Sequence, residues 1–150
     1  MPVGGLAPPD REEWASLYTA FAILRKETDR ALLPWRLTVP QASVLALLAE
    51  AGSPLPVTRL ARLLLQESPS VTSLVDRMCA GGLVERAKDR RDRRLVLVKL
   101  TRKGQRMHDS LRADAAAFND ELFGVLSRDE RATLKDLLQK LAYRNIQRVR

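Results

Sequence analysis

The chain has 150 residues, 45% of them apolar, and carries 26 basic against 18 acidic side chains for a net charge of +8. That length suits one compact domain or a domain with helical extensions, and no apolar run approaches the ~20 residues needed to cross a bilayer. The single cysteine, Cys79, excludes an intramolecular disulfide and fits a reducing cytoplasm.

Residues 1–9 read as a short disordered lead: proline and glycine prevent regular structure, and a basic start with a long apolar stretch is missing. Asp10 with Glu13 forms a capping box. Trp14, Leu17, Tyr18, Phe21 and Leu24 then recur at helical spacing, which predicts a first helix to about Leu33, stopped by Pro34. Thr38 with Gln41 is a second capping box, with Pro40 in the first turn. Leu45 and Leu48 form its buried stripe, and Gly52 ends the helix. Residues 54–57 are extended, too short for more than a minor strand. Thr58 is placed to cap a third helix with Leu60, Leu63 and Leu64 on its apolar face.

Ser68-Pro69 predicts a fourth helix, with serine as cap and proline at the first helical position. Val71, Leu74, Val75 and Met78 fall on its inner face. Ser70, Thr72, Ser73, Asp76 and Arg77 fall outside, and Gly81-Gly82 ends it. The period then changes. Residues 83–87 and 95–100 are rich in β-branched and aliphatic side chains and predict two strands joined as a hairpin. Lys99 points outward, so Val96, Val98 and Leu100 point inward. Between residues 83 and 106 lie ten basic residues against Glu85, Asp89 and Asp92, nearly the whole charge excess of the chain. A positive field so concentrated implies a polyanionic partner.

Thr101 caps a long fifth helix whose narrow seam is Met107, Leu111, Ala115, Phe118, Leu122 and Val125, suited to packing on another helix. Ser127 with Glu130 is a third capping box. It opens a last helix with Leu134, Leu137, Leu138 and Leu141 on one face and Arg144, Arg148 and Arg150 in its tail. The predicted class is mainly α with a small β-hairpin, a winged helix-turn-helix over residues 38–100. It is flanked by helices at 10–37 and 101–150.

Two short helices followed by a basic hairpin suit a DNA duplex. The major groove admits one helix, and short polar side chains and arginine read base edges. Ser68, Ser70, Thr72, Ser73 and Arg77 are the candidates on the fourth helix. Arg90, Arg91, Arg93 and Arg94 on the hairpin can track phosphate or enter a narrow minor groove. The interspersed aspartates and the lack of a basic amphipathic helix nearby weigh against a membrane.

Residues 70–78 (SVTSLVDRM), Gly82-Leu83-Val84-Glu85-Arg86, the run from Asp89 to Arg94, and residues 97–104 (LVKLTRKG) resemble the multiple antibiotic resistance regulator (MarR) family. The D-x-R-D-x-R pattern followed by a strand and L-T-x-K-G is the specific part. The resemblance implies a homodimer with interlocking first, fifth and sixth helices, the fourth helix as recognition helix and the hairpin as wing. It implies that Asp92, with Arg93 or Arg94, organises the wing tip and that one of those arginines enters the minor groove. It also implies a repressor released by a small aromatic ligand or by cysteine oxidation. The chain departs from the family where the turn before the recognition helix often holds glycine, then serine and arginine. Here it reads Leu65-Gln66-Glu67-Ser68-Pro69.

Trp14, Tyr18, Phe21 and Trp35 fit either a ligand pocket beside the dimer helices or the dimer core itself. Cys79 fits a small buried hydrophobe better than a sensor, because the family's reactive cysteine usually sits in the first helix. His108 has no partner at metal-ligand spacing. A phosphate-binding glycine loop, a nucleophile motif and a metal constellation are all missing from the pattern, so neither an enzyme nor a cofactor is expected. The expected partners are double-stranded DNA, a second copy of the chain and a small aromatic effector, in the cytoplasm. The alternative is a winged-helix nucleic-acid-binding or architectural protein without an effector.

Overall fold

The computed structural model describes residues 12–89, 92 and 95–146. The predicted Asp10 cap, the lead at 1–9, and Arg148 and Arg150 lie outside the described residues. The chain divides into two units, one through Leu111 and one from Arg112.

The first unit begins with α1 (Glu12–Leu32) and a 3-10 turn (Leu33–Trp35), followed by α2 (Val39–Ala51). Thr38 caps α2 as expected. The Gln41 N–H donates to its hydroxyl, and the Thr38 N–H donates back to Oε1 of Gln41 at 2.9 Å. Gly52 ends α2 in the left-handed region at φ +59°. Leu55–Pro56 is indeed a strand, β1, and it adds a third strand to the predicted hairpin. The sheet order is β1-β3-β2, with β2 (Val84–Lys88) and β3 (Val96–Leu100) antiparallel. Pro56 is tolerated because β1 is an edge strand.

The chain passes directly from β1 into α3 (Val57–Leu64). Pro56, extended at ψ 145°, occupies the cap position, so Thr58 lies inside the helix and does not cap it. Leu60 and Ala61 carry the buried face of α3, whereas the predicted Leu63 stands exposed. Leu65 closes α3 at φ +53°, with the Gln66 N–H donating to the Ala61 carbonyl at 3.0 Å. A leucine therefore fills the turn position that glycine favours, at a cost of about 1 kcal/mol.

The recognition-helix candidate, α4 (Ser68–Ala80), starts one residue earlier than predicted. Glu67 is its cap position and makes no side-chain cap, and Ser68 is its first helical residue. Its inner face is as expected: Val71, Leu74, Val75 and Met78 are all buried. They join Val44, Leu45 and Leu48 of α2, Leu60 of α3 and Val84 and Val98 of the sheet in one core. Truncating Leu45 or Met78, both fully buried, removes about 2–5 kcal/mol. Val98 points into this core and Leu100 is half-buried. Val96, predicted inward, is 40% exposed, because opposite Lys88 the hairpin has already run past the core. Lys99 faces out and pairs with Glu85 at 2.7 Å.

Helix α5 (Arg102–Phe123) is capped by Thr101, whose Oγ1 accepts the Gly104 N–H at 3.0 Å. Met107 and Leu111 pack against the core of the first unit. In the second unit Phe118 and Leu122 are half-buried and Ala115 is exposed. Val125 lies beyond the end of α5 and is 89% exposed, so it does not extend the seam. The second unit continues with α6 (Arg128–Ile146), opened by the predicted Ser127–Glu130 box. The Ser127 N–H on its carboxylate, then the Ser127 hydroxyl, hold the Glu130 carboxyl below its ordinary value. Arg131 was not singled out by the sequence. Its Nε donates to the Phe123 carbonyl at 3.0 Å and its Nη1 pairs with Asp120 at 2.8 Å, satisfying the end of α5.

Candidate nucleic-acid interface

Helix α4 buries one face and presents the other. Ser68, Ser70, Ser73 and Arg77 are exposed, and Thr72 is half-buried. The Thr72 hydroxyl donates to the Ser68 carbonyl at 2.8 Å, one turn back, which leaves its oxygen lone pairs for an outside donor. Asp76 is the acidic residue on this outer face. It is paired at 2.8 Å by Arg86 of β2. Arg86 shares a side of its strand with buried Val84, which turns it toward α4. Both partners are partly exposed, so the pair contributes about 0–1 kcal/mol to stability. Its larger effects are local: it neutralises a carboxylate that would repel phosphate, and it fixes the wing strand beside the helix.

The wing tip is closed by Asp89. The Asp92 N–H donates to Asp89 Oδ1 at 2.9 Å. The Leu95 N–H donates to the Asp92 carbonyl at 3.0 Å, and the Asp89 N–H to the Leu95 carbonyl at 3.2 Å. Asp92, singled out as wing-organising, lies within this turn, where its N–H and its carbonyl are both bonded. The Asp89 carboxylate, at the first position of the D-x-R-D-x-R pattern, takes part in the same turn. Arg90, Arg91, Arg93 and Arg94 lie outside the described residues.

The strand-to-helix segment after the wing is tied to the far end of α4. Lys103 Nζ donates to the Gly81 carbonyl at 2.8 Å, and Thr101 Oγ1 donates to the Gly82 carbonyl at 2.6 Å. The Thr101 N–H donates to the Leu83 carbonyl at 3.1 Å. Arg86, Lys99 and Lys103 therefore all have partners within the chain, although each was counted in the basic segment.

The four candidate pocket aromatics are not gathered in one place. Trp14 and Tyr18 tilt together on α1 with ring centroids 6.1 Å apart, and both are exposed, as is Phe21. Trp35 packs on the core in the 3-10 turn. It is roughly 30 Å along the chain from Trp14 at helical rise. Cys79 is half-buried against the core, and His108 Nδ1 lies 3.3 Å from Asp109 Oδ1. Among the described residues no single helix is long and apolar enough to cross a membrane.

Residues 37–95 match the MarR family model. The HTH-type transcriptional regulator FarR of Neisseria gonorrhoeae is 35% identical over 106 residues, covering 71% of this chain and 72% of that protein. The multiple antibiotic resistance protein MarR of Salmonella typhimurium is 34% identical over 111 residues, covering 73% and 76%. A crystal structure of a mutant MarR from Escherichia coli complexed with operator DNA superposes with a TM-score of 0.80 at 26% identity, covering 89% of this chain and 99% of that one. The wing motif, the helix-turn-helix over α3 and α4 and these relatives converge: the chain belongs to the MarR family of winged helix-turn-helix transcriptional regulators.

Proposed function

We propose that this regulator acts as a cytoplasmic homodimeric repressor on a pseudo-palindromic operator. Helix α4 reads the major groove, and the wing contacts phosphate or the minor groove. The observation that carries this reading is the outer face of α4. It presents Ser70, Ser73 and Arg77, with its acid, Asp76, neutralised from the wing strand. Such a face offers donors and acceptors to base edges without repelling the backbone. The likeness to a MarR bound to operator DNA supports the same placement.

The dimer rests on apolar surface. Trp14, Leu17, Tyr18 and Phe21 line the exposed side of α1, and Leu137, Leu138 and Leu141 that of α6. Contiguous apolar surface of this kind marks a protein interface. A second copy supplies it here, because a palindromic operator mirrors a two-fold dimer. A small aromatic effector is proposed near Trp35, the candidate packed against the DNA-reading core.

Selection of bound fragments from the source genome, followed by footprinting, tests this. The expected result is protection of two half-sites centred about one helical turn apart, ~34–36 Å, with a dimeric mass by light scattering. A monomer protecting one isolated half-site contradicts it.

A further inference from the structure

We infer that Thr101 and Lys103 are positioning residues for DNA reading: they fasten the C-terminal end of α4 to the first turn of α5. The two ends of α4 are held differently. Its N-terminal end has no side-chain cap. At its C-terminal end the backbone turns at Gly81 and Gly82, the latter at φ +70°. Three successive carbonyls there are taken by α5 and its cap: Gly81 by Lys103 Nζ, Gly82 by Thr101 Oγ1, and Leu83 by the Thr101 N–H. The Thr101 hydroxyl also accepts from Gly104, so one oxygen both caps α5 and grips the end of α4. The Lys103 ammonium lies at the negative end of the α4 dipole, where a cation is favoured. Its stem passes over Gly82, with Cδ 3.9 Å from where a Cβ would stand.

The core fixes which face of α4 is buried. It resists a small slide or tilt less firmly, because apolar contacts are non-directional. Hydrogen bonds are directional and weaken steeply with misalignment. Base contacts therefore depend on the pose of α4 more than contacts to an evenly charged backbone do. Loosening this attachment is expected to cost operator affinity while sparing non-specific affinity.

The inference rests on the proposed reading of α4, and the test separates the two. Thr101→Val, Thr101→Ser, Lys103→Met and Lys103→Arg are titrated against the selected operator and a scrambled duplex at several salt concentrations. Thr101→Val is expected to weaken operator binding about tenfold, the loss of one base contact. Binding to the scrambled duplex should stay within about twofold, with an unchanged salt slope, and Thr101→Ser should restore the operator. Lys103→Met, at a more exposed site, is expected to show the same split, with rescue by arginine. Equal losses on both duplexes, or a salt slope flattened by roughly 2 in Lys103→Met, overturn the inference: the first reports a general loss of structure, the second a phosphate contact. A selective wild type whose Thr101→Val and Lys103→Met variants stay equally selective overturns it too. A wild type that binds both duplexes alike overturns the proposed function, and this inference with it.

Discussion

Gly104→Ala is expected to lower stability by about 3 kcal/mol or more, this being the tightest fit for an added methyl among the described glycines. Gly104 is the third residue of α5 and is buried. A Cβ built there collides with the Leu83 carbonyl oxygen and stands 3.3 Å from Leu100 Cδ2. The oxygen cannot retreat freely, because it accepts from the Thr101 N–H, beside the Gly82 carbonyl that takes the Thr101 hydroxyl. Relief requires α5 to move off the α4–β2 junction, which breaks those bonds. Gly52→Ala is the control. Gly52 has open space around its Cβ position but sits at φ +59°, so only left-handed strain of about 1 kcal/mol is expected. Thermal unfolding of both variants measures the difference. A Gly104→Ala protein that melts with or above Gly52→Ala contradicts the packing described for this junction.

The same junction shows what a sequence can and cannot disclose. The run Leu100-Thr101-Arg102-Lys103-Gly104 was visible as part of a family pattern, but its reason was not. Thr101 reaches Gly82, and Lys103 reaches Gly81 twenty-two positions away, contacts that no local period encodes. The inner face of α4 was legible because four apolar residues at helical spacing have one way to hide. The capping boxes at Thr38 and Ser127 were legible because both partners lie within one turn. Thr58 failed as a cap because β1 runs straight into α3, and that strand exists only through its pairing with β3. Leu63 looked like core by spacing alone, yet among the described residues it stays 49% exposed. At the interface the candidate serines were readable from their alternation with the buried face. The Arg86–Asp76 pair was not, since it depends on where the wing strand lies.

Alanine at Arg93 or Arg94 is expected to weaken DNA binding about a hundredfold at 0.1 M salt. Each substitution acts once per subunit of the proposed dimer. If the side chain neutralises one phosphate, the slope of log affinity against log salt falls by roughly 2, at about 0.9 per contact. Extrapolated over the decade from 1 M to 0.1 M salt, that change of slope is nearly two decades in affinity. The loss falls on operator and random DNA alike for a phosphate contact, with an added loss on narrow A·T-rich sites for a minor-groove contact. Arg86 and Lys99 provide the internal contrast. They carry the same charge on the same hairpin but are paired with Asp76 and Glu85, so their removal is expected to change the slope less. Arg93→Ala and Arg94→Ala variants that both keep wild-type slope and affinity reduce the wing to a solvated loop.

The central claim, that α4 reads a specific sequence, is tested most directly by one ratio. The dissociation constants of the wild-type protein on its selected operator and on a scrambled duplex are measured at one fixed physiological salt concentration, alongside a Ser70→Ala, Ser73→Ala double variant. The wild-type protein is expected to prefer the operator by about 10³-fold or more. The double variant should lose about 1–3 kcal/mol on the operator for each good base contact removed, with affinity for the scrambled duplex unchanged. Equal wild-type affinity for the two duplexes, or a double variant that loses the same on both, contradicts the assignment of α4 as the reading helix.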